Sequence, residues 1–544
     1  MSFMIEQLKQ NWKAGVTVSL VSIPLSIALA VASNATPAIG ILTAIWAGFF
    51  AALFGGSNFN IVGPTGALSG IIASYVILNG TEHLPIVTII AGLIIFTSYL
   101  LKLERFLILI PASVIHGFTL GVAFIIGLGQ FNAALGLRGL PAHESFIKNL
   151  IESLHHLPHA SLSAVSVFAA FLVGLLLFKK FFPKLPGAII LAPVGILLGY
   201  LTTIGYIPLS IETLGGKFGE IQFQLFNLPS FAFSFGMLKP AAVIALIAIL
   251  ETMLSAKIAD GMTKTKHSER KEMLGLSLAN IASGFAGGMP ATAALARTSL
   301  NVKTGATSRV SGIINTVGIL VISAVLLKYF GFIPMAVIAS ILVYVAIQMV
   351  ESEHFFKLYK YEKSGLVVSL LVALLVIVED PIVGILIGVA VSLMIYVNRI
   401  SKGLYEIRED TLGDTDSVDA STKELRENPD VLLYTFRGKV TYINAKAHLS
   451  RFEGTVRKYK VVILRFREVY YLDLDGIEAI DEIIGLCQEG NQKVILTSVP
   501  TEIVNILESA SFYYKKLKEE QLVFSKTEDA LVSLNIPLRD YRNK

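Results

Sequence analysis

The stretch FAGGMPATAALARTSLN, residues 285–301, is unsuited to a membrane-crossing helix although it lies in a chain rich in apolar segments. It contains a Gly-Gly pair, a proline, a run of small residues and then Arg297. An earlier stretch, FGGSNFNIVGPTGALSG at 54–70, has the same order of Gly-Gly, proline and a short helix of small residues. Because the two stretches lie about 230 residues apart, we predict that this part of the chain is duplicated.

The composition indicates a polytopic membrane protein. Of 544 residues, 54% are hydrophobic and only 16% are charged, whereas a soluble globular chain carries about 25% charged residues. Apolar segments near the ~20 residues needed to cross a bilayer recur over residues 1–400, the predicted transmembrane domain. We place about fourteen segments at 13–33, 38–55, 65–79, 85–103, 106–128, 161–179, 187–205, 237–258, 272–288, 293–300, 309–328, 332–350, 365–379 and 381–398.

Two of the segments, 65–79 and 293–300, are too short to span, and each follows a Gly/Pro-rich approach. Seven segments per copy is an odd number, so the second copy is inverted in the membrane. Paired short, Gly/Pro-interrupted helices in matching places of two halves indicate a transporter's binding site. The alternative is that the Gly-Pro pairs only break helices and the small residues only aid helix packing.

The two short helices predict an anion-binding site. A helix that begins at mid-membrane leaves its first N–H groups unpaired and carries roughly half a positive charge there. Two such ends can face each other around an anion, and Arg297 adds a full charge in a planar fork. Thr292 supplies a further hydroxyl. The predicted substrate-binding residues are Thr65, Gly66, Ala67, Ala294, Leu295, Ala296, Arg297 and Thr298.

Glu251 lies well inside the apolar segment 237–258. A carboxylate inside the membrane is costly and indicates a functional site, so we assign Glu251, with Ser255 one helical turn on, to a coupling ion, H⁺ or Na⁺. The alternative is a structural ion pair between Glu251 and Arg297. His116 is interpreted as a packed or hydrogen-bonded histidine rather than a proton carrier, and HHLPHA at 155–160 as a solvated loop rather than a metal site.

The charge distribution orients the chain. Lys and Arg concentrate on one set of alternate connections, such as 257–271 and 357–363, and the positive-inside rule makes that side cytoplasmic, together with both termini. We therefore predict a multi-pass protein of the cell (inner or plasma) membrane. No Walker motif, catalytic carboxylate pair, zinc signature or serine triad is present, so transport driven by ATP hydrolysis within this chain is not expected. We expect no enzyme activity, cofactor, resident metal or nucleic-acid partner.

The apolar segments end near residue 400, and the sequence becomes more polar. Residues 401–429 read as a polar linker, and residues 430–544 as a small α/β domain. VLLYTFRG, KVVILRF and QKVILTS are predicted to be buried strands, whereas DGIEAIDEIIGLCQEG and TEIVNILESA are predicted to be amphipathic helices. Strands that alternate with helices favour an α/β sheet.

GPTGALSGIIA at 63–73 and the run from 269 to 312 resemble the sulfate permease (SulP) family, and the soluble end resembles the STAS domain that follows its last helix. The matching residues of the second run are Glu272, Gly275, Asn280, Gly287, Gly288, Pro290, Thr292, Arg297, Asn301 and Gly305. The resemblance implies a seven-plus-seven inverted repeat with core and gate domains, a homodimer, elevator-like movement, substrate near Thr65 and Leu295, and cation coupling at Glu251. The sequence departs from the family at Ala293, Ala294 and Ala296, where Ser or Gly is frequent, and at Asp475, where regulatory STAS domains often carry a phosphorylatable serine.

The leading hypothesis is a secondary active transporter of small inorganic anions, sulfate-type first and bicarbonate next, coupled to H⁺ or Na⁺. The alternatives are an uncoupled anion exchanger or channel, a C4-dicarboxylate transporter, and a membrane-tethered signalling protein whose STAS domain binds a cytosolic partner. Nucleobase permeases share the implied fold but would require side chains that recognise base edges.

Overall fold

The computed structural model describes residues 2–105, 110–141, 143, 145–182, 187–222, 225–227, 233–379, 381–403, 430–455 and 459–536. All but the first three residues of the predicted linker 401–429 lie outside these ranges. The chain divides into two compact units, Met1–Ser392 and Leu393–Lys544.

Helices dominate the first unit. Its first half contains α1 (Ser2–Ala32), α2 (Pro37–Phe54), α3 (Gly66–Asn79), α4 (Leu84–Leu100), α5 (Ala112–Leu128), α6 (Phe131–Leu135), α7 (Phe146–His155), α8 (Leu162–Phe181) and α9 (Gly187–Thr203). The second half contains α10 (Leu214–Phe218), α11 (Leu238–Thr263), α12 (Glu269–Phe285), α13 (Leu295–Lys303), α14 (Val310–Phe330), α15 (Met335–Met349), α16 (Ser352–Tyr361), α17 (Lys363–Val378) and α18 (Pro381–Gly403). Among the described residues, eight helices are long and apolar enough to cross a membrane, and the predicted polytopic helical fold is confirmed.

The packing separates the membrane helices into two bundles. In the core bundle, α12 packs against α2 and α4, α14 against α1 and α2, and α11 against α4 and α13. In the gate bundle, α15 packs against α5 and α8, α5 against α17, and α8 against α9. The core bundle depends on close backbone approach, because a Cβ on Gly275 would lie 2.5 Å from Gly55 Cα. Each bundle combines helices from both halves of the sequence.

The two Gly/Pro stretches meet in the core bundle. Strand β1 (Val62–Gly63) pairs antiparallel with β2 (Thr292–Ala293), so that Val62 lies opposite Ala293 and Gly63 opposite Thr292. Ala294 N extends the contact by donating to the Ile61 carbonyl at 3.2 Å. An antiparallel pairing is the arrangement expected of two equivalent segments in inverted repeats.

The second unit contains a four-stranded parallel sheet in the order β3 (Val431–Val440), β4 (Val461–Leu472), β5 (Lys493–Thr497), β6 (Val523–Phe524). Its helices are α19 (Ala445–Thr455), α20 (Leu474–Glu489), α21 (Thr501–Ala510), α22 (Phe512–Glu519) and α23 (Thr527–Ser533). The buried side chains of Phe436, Phe466 and Ile480 belong to one apolar core between sheet and helices. The predicted α/β domain is confirmed.

Candidate functional site

Two short helices begin side by side where β1 and β2 end. The N-cap residue of α3 is Thr65 and that of α13 is Ala294, and neither side chain caps its own helix. Alanine has no polar atom for this purpose, and the Thr65 hydroxyl is directed elsewhere. N-cap side chains normally satisfy one of the free N–H groups of the first turn. Both helices therefore present positive, uncapped ends to the same region.

The Thr65 hydroxyl donates instead to Glu251 Oε2 at 2.9 Å. Glu251 lies on α11 and is half-buried. It lines a cavity of about 30 Å³ together with Ala67 on α3, while the opposite wall comes from α5 and from Met349 and Ile385. This intramembrane carboxylate therefore lies at the boundary between the core and gate bundles.

Arg297, on the first turn of α13, is only 1% exposed. Its Nη2 donates to the Pro64 carbonyl, immediately before the start of α3. Among the described residues, its Nε and Nη1 have no hydrogen-bond partner. A Cβ on Gly63 would lie 2.6 Å from Nη1, so glycine is required for the guanidinium to fit against β1. A buried cation with two unpaired donors favours an anionic ligand, because unpaired buried donors are costly.

Glu251 and Arg297 interact electrostatically, but they form no ion pair within 4.0 Å. The carboxylate is bonded to Thr65 and the guanidinium to Pro64. The two charges are thus held by different partners, and the locked pair considered as an alternative is absent from this conformation. Arg297 therefore retains charge and donors for a ligand.

The other predicted site residues differ in burial. Gly66 and Ala67, at the start of α3, are buried. At the start of α13, Leu295 is partly exposed and Ala296 is exposed. Thr298 is fully buried, and its hydroxyl oxygen accepts from Ser255 Oγ at 2.9 Å and from Ile61 N at 3.2 Å. Ser255 consequently joins α11 to α13 rather than contacting the Glu251 carboxylate.

A buried carboxylate fixes the approach to α3, a role that sequence reasoning missed. Glu272 on α12 accepts from Gly56 N at 2.6 Å, Ser57 N at 2.7 Å and Asn60 Nδ2 at 2.7 Å. The loop 55–61, which leads into β1, is therefore held by a helix of the other repeat. The match of Glu272 to the family motif was the available signal, but it did not reveal the partners.

The loop that precedes α13 is also held by side chains of neighbouring helices. Thr43 on α2 accepts from Met289 N at 2.8 Å. Asn280 on α12 accepts from Ala291 N at 2.9 Å and donates to the Ala291 carbonyl at 3.0 Å. Polar residues inside otherwise apolar helices were the sequence signal for these contacts. Each crossing loop thus receives support from a helix of the opposite half.

Outside this site, the histidine-rich stretch 155–160 comprises the end of α7 and a short 3-10 helix at Leu157–His159. Among the described residues, no group of three or more His, Cys, Asp or Glu could hold a metal ion. In the second unit, Asp475 lies in the first turn of α20, which Asp473 caps by accepting from Gly476 N at 2.9 Å.

This fold, together with the family whose profile it matches, defines a membrane transporter with a C-terminal α/β domain, not an enzyme. Residues 8–372 match the profile of the sulfate permease family, and the chain belongs to that family. Residues 422–530 match the STAS domain. The resemblance drawn from the sequence is confirmed for both parts.

Relatives and solved structures match over most of the chain. YvdB of Bacillus subtilis (strain 168), provisionally named a sulfate transporter, is 31% identical over 94% of this chain and 96% of its own. The bicarbonate transporter BicA of Picosynechococcus sp. (strain ATCC 27264 / PCC 7002 / PR-6) is 27% identical over 94% and 92%. The structure of SLC26A9 gives a TM-score of 0.76 at 14% identity, covering 97% of this chain and 90% of that one. The transmembrane domain of a cyanobacterial BicA gives 0.61 at 24% identity, covering 71% and 97%.

Proposed function

We propose that this chain is a secondary active transporter of small inorganic anions, with sulfate-type anions as first candidates and bicarbonate next. The observation that carries the proposal is the buried Arg297, with two guanidinium nitrogens unpaired among the described residues, beside two uncapped helix starts. The names of YvdB and BicA support these two substrate classes.

The anion binds between the starts of α3 and α13. Backbone N–H groups of residues near Gly66 and Leu295 donate to it, and Arg297 adds charge-assisted hydrogen bonds, which are about twice as strong as neutral ones. Ala67, Ala294 and Ala296 let the anion approach the backbone closely. Because the hydroxyls of Thr65 and Thr298 are engaged within the protein, backbone donors and Arg297 carry most of the recognition.

Glu251 binds the coupling ion, H⁺ or Na⁺. An ionised Glu251 reduces the positive potential of the site, so its neutralisation strengthens anion binding. The core bundle then moves past the gate bundle in an elevator-like step that carries the site across the membrane. Glu251 lies on the core bundle at its boundary with the gate bundle. This position supports the assignment, because the Glu251 carboxylate must cross the membrane together with the core bundle.

The remaining assignments concern location and partners. The chain resides in the cell (inner or plasma) membrane as a homodimer, with both termini and the STAS domain cytoplasmic. The concentration of Lys and Arg on one set of connections supports this orientation. The STAS domain offers a surface for a cytosolic partner.

Uptake into proteoliposomes tests the proposal. Labelled sulfate, bicarbonate and fumarate are each offered with and without a proton or Na⁺ gradient. We expect saturable uptake of sulfate or bicarbonate that an inward gradient accelerates. Uptake of fumarate alone would favour a C4-dicarboxylate transporter, and uptake that no gradient accelerates would favour an uncoupled exchanger or channel.

A further inference from the structure

A cluster of titratable side chains lies in the gate bundle, apart from Glu251. His116 on α5 places Nδ1 3.1 Å from Oε2 of Glu351, in the connection between α15 and α16. The His116 ring stacks on the ring of His354 on α16, with centroids 3.6 Å apart and an interplanar angle of 27°. The side chain of His116 is 12% exposed and that of Glu351 31% exposed. Two imidazoles and one carboxylate therefore share one site, in which Glu351 is more exposed than His116.

The hydrogen bond fixes one proton in this cluster. An ionised carboxylate only accepts, so Nδ1 of His116 must carry the hydrogen between the two groups. The neutral ring then has its free lone pair on Nε2, where a further proton can bind. His354 Nε2 is buried and has no hydrogen-bond partner among the described residues. A further proton can therefore bind at Nε2 of His116 or on the ring of His354.

We propose that His116, Glu351 and His354 form a proton-binding site that is separate from Glu251 and sets the pH dependence of transport. One added proton makes His116 cationic between the Glu351 carboxylate and the face of a neutral ring, an arrangement that attracts on both sides. A second proton makes both stacked rings cationic at 3.6 Å and forces them apart. Lys357 on α16 and Glu362, which directly precedes α17, also act on His354, and their charges have opposite signs.

The cluster adjoins the cavity that contains Glu251. Ile115, the neighbour of His116, lines that cavity, as does Met349, two residues before Glu351. Separation of the stacked rings therefore shifts the gate wall of the cavity, along which the core bundle moves in the function proposed above. The inference rests on that function for its effect on transport, but proton uptake by the cluster does not depend on it.

Histidine-selective ¹⁵N NMR of the full chain in nanodiscs measures the proton uptake directly. The chain has nine histidines, and His116→Asn and His354→Asn assign the two signals. Over about pH 5 to 8, where histidine charge normally changes, we expect the two rings to titrate in two separate, mutually dependent steps. In His354→Asn the remaining ring should titrate in one step. Two independent single-step titrations would overturn the proposal and leave His116 as a structural histidine.

Transport in proteoliposomes at the same pH values measures the consequence. His116→Asn and His354→Asn should each remove the same part of the pH dependence of initial uptake, whereas His159→Asn, an exposed histidine of the 155–160 stretch, should leave the pH profile unchanged. A two-step titration with an unaltered transport profile would refute the link to transport. Absence of transport in the wild-type protein, with the two-step titration intact, would instead refute the proposed function.

Discussion

At the scale of single residues, the site depends on a guanidinium that the protein only partly satisfies. Arg297 is buried, donates to Pro64, and leaves Nε and Nη1 unpaired among the described residues. In the membrane interior a buried charge is expensive, and such residues characteristically mark an ion or substrate pathway. The anion proposed here completes the hydrogen bonding that the protein leaves open.

Arg297→Gln should weaken anion binding more than it weakens folding. A hydrogen bond to a charged group contributes about 1.5–3 kcal/mol, so the Kd measured by calorimetry should rise about tenfold to a hundredfold. The matched control is Arg270→Gln, which removes an exposed guanidinium that stacks over Tyr99. An unchanged Kd in a well-folded Arg297→Gln protein would contradict the assigned role.

Glu251→Gln should separate anion exchange from ion coupling. Glutamine mimics the neutral carboxyl group and can still accept from the Thr65 hydroxyl. The variant should therefore bind anion and exchange it across the membrane, but it should lose the acceleration that a proton or Na⁺ gradient gives to the wild type. Should it retain full gradient-driven accumulation in proteoliposomes, the coupling ion binds elsewhere and Glu251 is structural.

At the scale of elements, the positions of α3 and α13 are set by the loops that precede them. Glu272 on α12 accepts hydrogen bonds from loop 55–61, and Thr43 on α2 accepts one from Met289. Because each of these contacts joins one repeat to the other, the starts of the two short helices are fixed relative to each other. In the proposed mechanism, this rigidity keeps the anion donors in place while the core bundle moves.

Glu272→Gln tests the fastening of loop 55–61. The amide keeps one oxygen that can accept from Gly56 N and Ser57 N, but its NH2 group cannot accept from Asn60 Nδ2, and the negative charge that strengthens all three bonds is lost. Hydrogen exchange of residues 55–61 should accelerate and the KM for the anion should rise, while Glu269→Gln, an exposed glutamate in the same helical turn, should change neither. Wild-type exchange in the Glu272→Gln loop would show that other contacts hold it.

The sequence predicted the two short helices but not the hydrogen bonds that hold the loops before them. Gly-Gly, proline and small residues indicated both short helices, since a 14-residue α3 and a nine-residue α13 cannot span a bilayer. The bond from Gly56 to Glu272 joins residues 216 apart in sequence, and no local pattern encodes such a contact. The engagement of the Ser255 hydroxyl by Thr298 was hidden for the same reason, because helical spacing alone had placed Ser255 with Glu251.

At the scale of the whole molecule, the chain consists of two units with separate cores. The sequence change after residue 400 indicated the second unit, and three of its four strands follow from apolar runs. Strand β6 has only two residues, and it was missed because its pairing with β5 depends on the sheet rather than on a local pattern. Helix α19 was missed as well, since its sequence AKAHLSRFEGT has little apolar periodicity.

Alkylation of Cys487 measures the unfolding of the second unit alone, because Cys487 is the chain's single cysteine. Its side chain is fully buried in the core of that unit, and burial raises the pKa of the thiol to about 12. Only the thiolate reacts readily with alkylating reagents, so iodoacetamide at pH 8 should leave the native protein unmodified and should label it only after urea unfolds this unit. The urea midpoint for labelling should be the same in Glu272→Gln as in the wild type. A lower midpoint would show that the two units do not unfold independently.

The measurement that tests the central claim most directly is counterflow in proteoliposomes without any ion gradient. Vesicles are loaded with unlabelled sulfate or bicarbonate, and tracer of the same anion is added outside. At an anion concentration near the wild-type Kd, we predict transient accumulation of tracer above its equilibrium level with the wild type and with Glu251→Gln, and a strongly reduced accumulation with Arg297→Gln. Tracer uptake no greater than in protein-free vesicles, or accumulation that Arg297→Gln leaves intact, would contradict anion transport through the paired starts of α3 and α13.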